Sequence, residues 1–161
     1  MSVENFSWVI PDRLAGCAVP DFTGMIRPSD ADWLHEQGVD VLVSLATPYG
    51  PAAEECGRVG IDWIDYPIAD FGIPSDIESF SALVEDIADA MKDDEGIGVC
   101  VHCHAGIGRT GLLLACVIGK HLSLPGDKAV AAVRKARPMS LETRMQEDFV
   151  REFLSDIKGN A

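Results

Sequence analysis

Along this chain the apolar positions switch between a period of two and a helical period, which predicts strands alternating with helices. Phe6-Ser7-Trp8-Val9-Ile10 alternates and reads as a short edge strand ended by Pro11-Asp12; Leu14-Ala15-Gly16-Cys17 reads as a second. Ser29-Asp30-Ala31-Asp32 has the form of a helix N-cap with an acidic first turn, and Gly38 is the matching stop. The apolar run from Val39 to Leu45 has strand length and suits a strand buried on both faces. A short helix from about Pro51 to Val59 precedes Ile61–Tyr66, a period-two strand. Ser75-Asp76-Ile77-Glu78 has capping-box form and opens a long amphipathic helix to about Lys92. Ile97 to His102 is a short strand running into glycine-rich sequence, and three helices follow over about 110–122, 126–136 and 141–157.

This alternation implies right-handed crossovers. The expected architecture is a three-layer α/β fold: a mostly parallel central sheet of about four to five strands with helices on both faces. Repeats, low-complexity tracts and linkers are absent from the sequence, so residues 1–161 read as a single domain.

Composition narrows the choice of partner. The formal net charge is −13, and it is uneven: residues 1–100 hold 20 of the 26 Asp/Glu but 4 of the 13 Lys/Arg. A field this negative disfavours nucleic acid and anionic membrane as partners. Any anion site must be built locally, and the last third of the chain is where basic residues gather. No apolar run reaches the ~18 residues of a membrane span, and Met1-Ser2-Val3-Glu4-Asn5 lacks the features of a signal peptide. The expectation is a cytoplasmic monomer. Five cysteines, an odd number scattered along the chain, fit reduced thiols better than a disulfide framework.

The segment that carries chemistry is Val101-His102-Cys103-His104-Ala105-Gly106-Ile107-Gly108-Arg109-Thr110-Gly111. A strand runs into a tight glycine-containing loop and then into a helix, and ligands of α/β sheets bind at such carboxyl ends of strands. Gly106 and Gly108 let the backbone curl so that the N–H groups from His104 to Arg109, through Ala105 and Ile107, line an anion nest at a helix N-terminus. Cys103 opens this loop, where inward N–H groups, the helix dipole and Arg109 all favour thiolate over thiol. Arg109 offers a planar fork to two phosphate oxygens. Thr110 is placed to hydrogen-bond the sulfur when it leaves, and His102 to order the loop through backbone hydrogen bonds.

His102-Cys103, five intervening residues and Arg109-Thr110-Gly111 resemble the signature of the protein tyrosine phosphatase superfamily, and the small size resembles its dual-specificity branch. Trp8–Gly16 and Arg137–Thr143 are similar to further segments of that branch, so the likeness runs from about Phe6 to about Leu154. The resemblance implies a phosphocysteine intermediate formed on Cys103, without metal or organic cofactor. It also implies a general acid on a loop some thirty to forty residues earlier. Asp70, in Ile68-Ala69-Asp70-Phe71-Gly72-Ile73-Pro74, lies 33 residues before the cysteine; Asp62 and Asp65 are rivals within a strand. Gln146 matches a position that in relatives orients the attacking water, against a plain reading as a helix-surface glutamine.

The implied substrate is a phosphorylated protein or peptide, with phosphotyrosine first and phosphoserine or phosphothreonine admitted by a shallow pocket. Phosphoinositides and RNA 5′ ends are alternatives, disfavoured by the negative charge and by the absence of lysine at His104, Ala105 and Ile107. A phosphate-binding module without catalysis is a third. Cys100-Val101-His102-Cys103-His104 also fits a haem-attachment pattern, but that leaves the glycines and Arg109 unexplained. Zinc would need a second Cys/His pair nearby. Cys100 and Cys116 read as small core residues, and Arg134, Lys135 and Arg137 as cations closing a helix, with Arg137 also available to the site's rim.

Overall fold

The structure, a computed structural model, describes residues 3–92 and 96–159. Its strands are β1 (Ser7–Ile10), β2 (Leu14–Cys17), β3 (Val41–Ser44), β4 (Asp62–Asp65) and β5 (Val99–His102). The helices are α1 (Asp30–Glu36), α2 (Ala52–Val59), α3 (Ile77–Lys92), α4 (Gly108–Leu122), α5 (Gly126–Ala136) and α6 (Arg144–Gly159). The five strands form one sheet in the order β1-β2-β5-β3-β4. It is parallel except for the β1–β2 hairpin, so the expected three-layer α/β architecture is what forms.

Alternation along each strand divides the interior into two cores. Leu14, Val43, Val99 and Val101 face one side and pack with apolar residues of α3, α4, α5 and α6. Ala15, Cys17, Leu42 and Cys100 face the other and pack with Ala31 and Leu34 of α1 and Ala52 and Cys56 of α2. Helix α4 is buried from Gly108 to Gly119, as expected of a helix apolar on all sides. On the larger side Phe80, Phe149 and Phe153 make a ring cluster, with Phe80 edge-on to Phe149 at 5.4 Å and to Phe153 at 5.3 Å.

β5 sits at the centre of the sheet, and its last residue His102 is level with Cys17 of β2 and Ser44 of β3. Three chain segments therefore leave the sheet together at its carboxyl edge. That edge is where the glycine-rich loop begins.

Helix starts differ from the sequence expectation in three places. The side chain capping α3 is Asp76, whose carboxylate accepts from Glu78 N–H at 3.1 Å, not Ser75; a carboxylate also favours the positive end of the helix. α4 begins two residues early because the loop turns straight into it. α6 begins at Arg144 rather than 141, since Leu141 has φ +67° and cannot be helical.

Truncating Phe80 to alanine removes the ring both partners lean on. We expect a loss of about 3–5 kcal/mol in urea unfolding; a change under about 1 kcal/mol would show that this cluster does not hold α3 against α6.

Candidate active site

From His102 the chain leaves the sheet, passes through Cys103 to Ile107 and enters α4 at Gly108. Gly106 has φ +77°, and a Cβ there would collide with the carbonyl of Cys17, so only glycine fits. Cys103 is 2% exposed, and the Thr110 hydroxyl donates to its sulfur at 3.1 Å from the first turn of the helix.

Each carbonyl of the loop is held from behind. The Cys103 carbonyl accepts from His102 Nδ1 at 2.8 Å and the His104 carbonyl from Val19 N–H at 2.9 Å. Asn5 Nδ2 donates to the Ala105 carbonyl at 3.1 Å, and Arg137 Nη2 to that of Gly106 at 2.6 Å. The Ile107 carbonyl accepts from Gly111 and Leu141 N–H, both at 3.0 Å. Among the described residues no peptide bond is cis. In a trans peptide N–H and C=O point opposite ways, so fixing five successive carbonyls outward turns the N–H groups of residues 104 to 108 the other way. That geometry is an anion nest at a helix N-terminus.

Arg109 is 6% exposed and its guanidinium bridges to the loop that follows β4. Nη1 donates to the Ile68 carbonyl at 2.8 Å, and Nη2 lies 3.1 Å from Asp70 Oδ1. Asp70 is itself 58% exposed and accepts from Phe71 N–H at 3.0 Å. Phe71 has φ +59°, an unfavourable conformation for a bulky residue, which sharpens the turn at this carboxylate. Asp62 and Asp65 lie exposed on the edge strand β4, and neither pairs with Arg109.

His102 is fully buried and neutral, and its partners fix its tautomer. Nδ1 faces a carbonyl and must donate, so Nε2 accepts from the Ser44 hydroxyl at 2.5 Å. Ser44 in turn accepts from Trp63 Nε1–H at 2.8 Å. Burial, aided by the nearby Arg109 charge, pushes the imidazole down to about 4.

Gln146 is not a surface glutamine; it is fully buried. Its Oε1 accepts from Glu142 N–H at 2.8 Å and Thr143 N–H at 3.3 Å, while its own N–H donates to Thr143 Oγ1 at 3.1 Å. This is a capping box for α6, and Nε2 reaches Gly72 O at 3.2 Å on the Asp70 loop. Cys103, Arg109, Thr110 and Asp70 thus meet at one place, with His102 and Gln146 behind them. His104 and Ala105 are exposed at the mouth. Arg137, which the sequence offered to the site's rim as well as to the helix end, and Asn5, which the sequence reading missed, close the loop from behind. For Arg137 a signal existed: it follows Val130 and Val133 at seven and four residues, on the buried stripe of α5.

Residues 3–150 match the family model described as "PTP-SAK: Swiss Army Knife protein, DSP-PTPase phosphatase domain". Among curated proteins the chain is 30% identical over 164 residues to protein tyrosine phosphatase domain-containing protein 1 of Danio rerio, covering 91% of this chain and 22% of that protein. It is 29% identical over 142 residues to dual specificity protein phosphatase CDC14C of Homo sapiens, covering 83% and 30%. The chain therefore spans between a fifth and a third of the length of these relatives. Among solved structures, kinase associated phosphatase with its catalytic cysteine replaced by serine superposes with a TM-score of 0.80 at 23% identity, over 98% of this chain and 97% of that one. PTPMT1 in complex with PI(5)P gives 0.79 at 15%, over 96% and 97%.

The buried neutral imidazole has a consequence for acid stability. Unfolded, His102 takes up a proton below about 6.5; folded, it resists until about 4, so stability present above 6.5 drains away as pH falls through that window. We expect His102 to account for about 3 kcal/mol of the loss, and His102→Asn to flatten this part of the curve of unfolding free energy against pH. Parallel curves for the two proteins would contradict the assignment.

Proposed function

The chain belongs to the dual-specificity branch of the protein tyrosine phosphatase superfamily, and from that premise we propose that it hydrolyses phosphotyrosine in proteins, with phosphoserine and phosphothreonine as further substrates, through a phosphocysteine intermediate. The observation that carries this reading is the loop whose five carbonyls are tied back around a buried cysteine, with a threonine hydroxyl on its sulfur.

In this mechanism the phosphoryl dianion sits in the nest of N–H groups, its remaining oxygens in the fork of Arg109. The dianion competes with Asp70 for that guanidinium, which frees the carboxyl to turn to the leaving oxygen. The Cys103 sulfur attacks phosphorus in line, the bond to the leaving oxygen breaks, and protonated Asp70 supplies that oxygen with its proton. Water then attacks the phosphocysteine, the aspartate takes its proton, and the S–P bond breaks. Thr110 stabilises the departing thiolate. Gln146 contributes by fixing the Asp70 loop through Gly72; its carbonyl is already committed to capping α6.

Protein substrates are favoured over lipid and nucleic acid by charge. The chain carries −13, and none of the loop residues His104, Ala105 and Ile107 is a lysine that would meet a polyphosphorylated headgroup. Beside the loop a pocket of about 520 Å³, lined in part by His104, Ala105, Tyr49 and Arg27, leaves room for residues flanking a phosphorylated side chain. We further propose that the protein acts as a cytoplasmic monomer.

Hydrolysis of p-nitrophenyl phosphate and of a phosphotyrosine peptide tests the reading. Cys103→Ser should be inactive, and Asp70→Asn should lower kcat about 10²–10⁴-fold. Turnover of phosphoinositide vesicles or RNA 5′ ends in preference to phosphopeptides would overturn the substrate class. Phosphopeptide binding without turnover would leave a binding module.

A further inference from the structure

Arg137 stands at the C-terminal end of α5, one turn beyond Val133, and the residue is 5% exposed. Nη1 donates to the Asn5 carbonyl and the Ser7 hydroxyl, both at 2.8 Å, and to the Gly16 carbonyl at 2.9 Å. Nη2 donates to Gly106 O at 2.6 Å. All four acceptors are uncharged, and among the described residues no carboxylate pairs with it. Its neighbour Arg134 is 37% exposed and pairs with Glu147 at 2.8 Å. Burying a guanidinium without a counterion is costly, and here burial pulls its pKa down. A chain with 26 acidic residues does not lack candidates for a partner. The missing anion belongs elsewhere.

We propose that Arg137 is a positioning residue for the phosphate loop, its fork setting the Gly106 carbonyl and its uncompensated charge favouring the Cys103 thiolate and a bound phosphoryl group from behind. The inference rests on the phosphatase reading above. The fork matters because two nitrogens reach Gly16 O and Gly106 O together, which an ammonium cannot do in the same geometry. The backbone makes room for it: a Cβ on Gly16 would stand 2.9 Å from Arg137 Cζ and Nε. The ionisable groups around it are Cys17 on β2, Cys100 on β5 and Cys103 at the loop, and the hydrogen bond with Cys100 together with burial pushes the Cys17 thiol up, so that it brings no negative charge. Arg109 supplies the second cation, on the side facing Asp70. Asn5 shares the geometric task without the charge, donating to the Ala105 and Gly106 carbonyls. Charge and geometry are therefore separable by substitution.

The test uses alkylation of Cys103 by iodoacetamide across pH, with and without inorganic phosphate, so no turnover is required. In Arg137→Met the midpoint of the alkylation profile should move up by about one pH unit, and protection by phosphate should weaken about tenfold. Arg137→Lys should keep the wild-type midpoint and still lose phosphate protection several-fold. Asn5→Ala should also keep the midpoint, with a smaller loss of protection. Near-UV circular dichroism checks that each variant is folded. Should Arg137→Met fail to fold, Arg137→Lys decides, and unchanged phosphate protection in it would overturn the proposal. A folded Arg137→Met with wild-type midpoint and protection would overturn it too. A wild-type protein whose Cys103 titrates as free cysteine and ignores phosphate would instead overturn the phosphatase reading itself.

Discussion

The planarity of the peptide bond is the constraint on which this molecule's chemistry depends. A loop of five residues cannot choose the direction of its N–H groups independently of its carbonyls. Once Val19, Asn5, Arg137 and Leu141 hold the carbonyls of residues 104 to 107, the N–H groups face the opposite way. Such partners come from the β2 exit, the N-terminal segment, the end of α5 and the approach to α6. The anion nest is thus built by most of the fold, and a change far from Cys103 can open it.

The sheet order explains how these segments reach the loop. With β5 central, β2 and β3 flank it in register, so Val19 after β2 and Ser44 at the end of β3 both lie beside the bend. One supports the loop through its backbone and the other through His102. On the far side the Asp70 loop follows the edge strand β4 and is drawn in by Arg109 and Gln146.

Local pattern made the strands, the helices and the strand–loop–helix segment readable in the sequence. Val101 to Gly111 carries its own signals in glycines, a cysteine and an arginine at fixed spacing. Helix ends were legible less well, because caps depend on one residue's backbone: Leu141 is left-handed, and nothing in its side chain announces that. Long-range supports were hidden for a different reason. Asn5 and Ala105 are a hundred residues apart, and no periodicity links them. Arg137 sat on an apolar stripe, but basic residues near a helix end read naturally as partners of its dipole. Gln146 was misplaced on the surface by the plain reading because glutamine is mostly exposed; here a capping box buries it.

Membership of the dual-specificity branch and the architecture of the loop agree, and they leave one chemical claim to carry the rest: that phosphate passes through the sulfur of Cys103. Acid quenching of the protein during turnover of p-nitrophenyl phosphate, followed by mass spectrometry of its peptides, addresses that claim directly. The account predicts one phosphoryl group on the peptide bearing Cys103, accumulating in the wild-type protein and absent from Cys103→Ser. Turnover with no phosphorylated peptide in a folded, active protein, or a phosphoryl group on a different side chain, would contradict it.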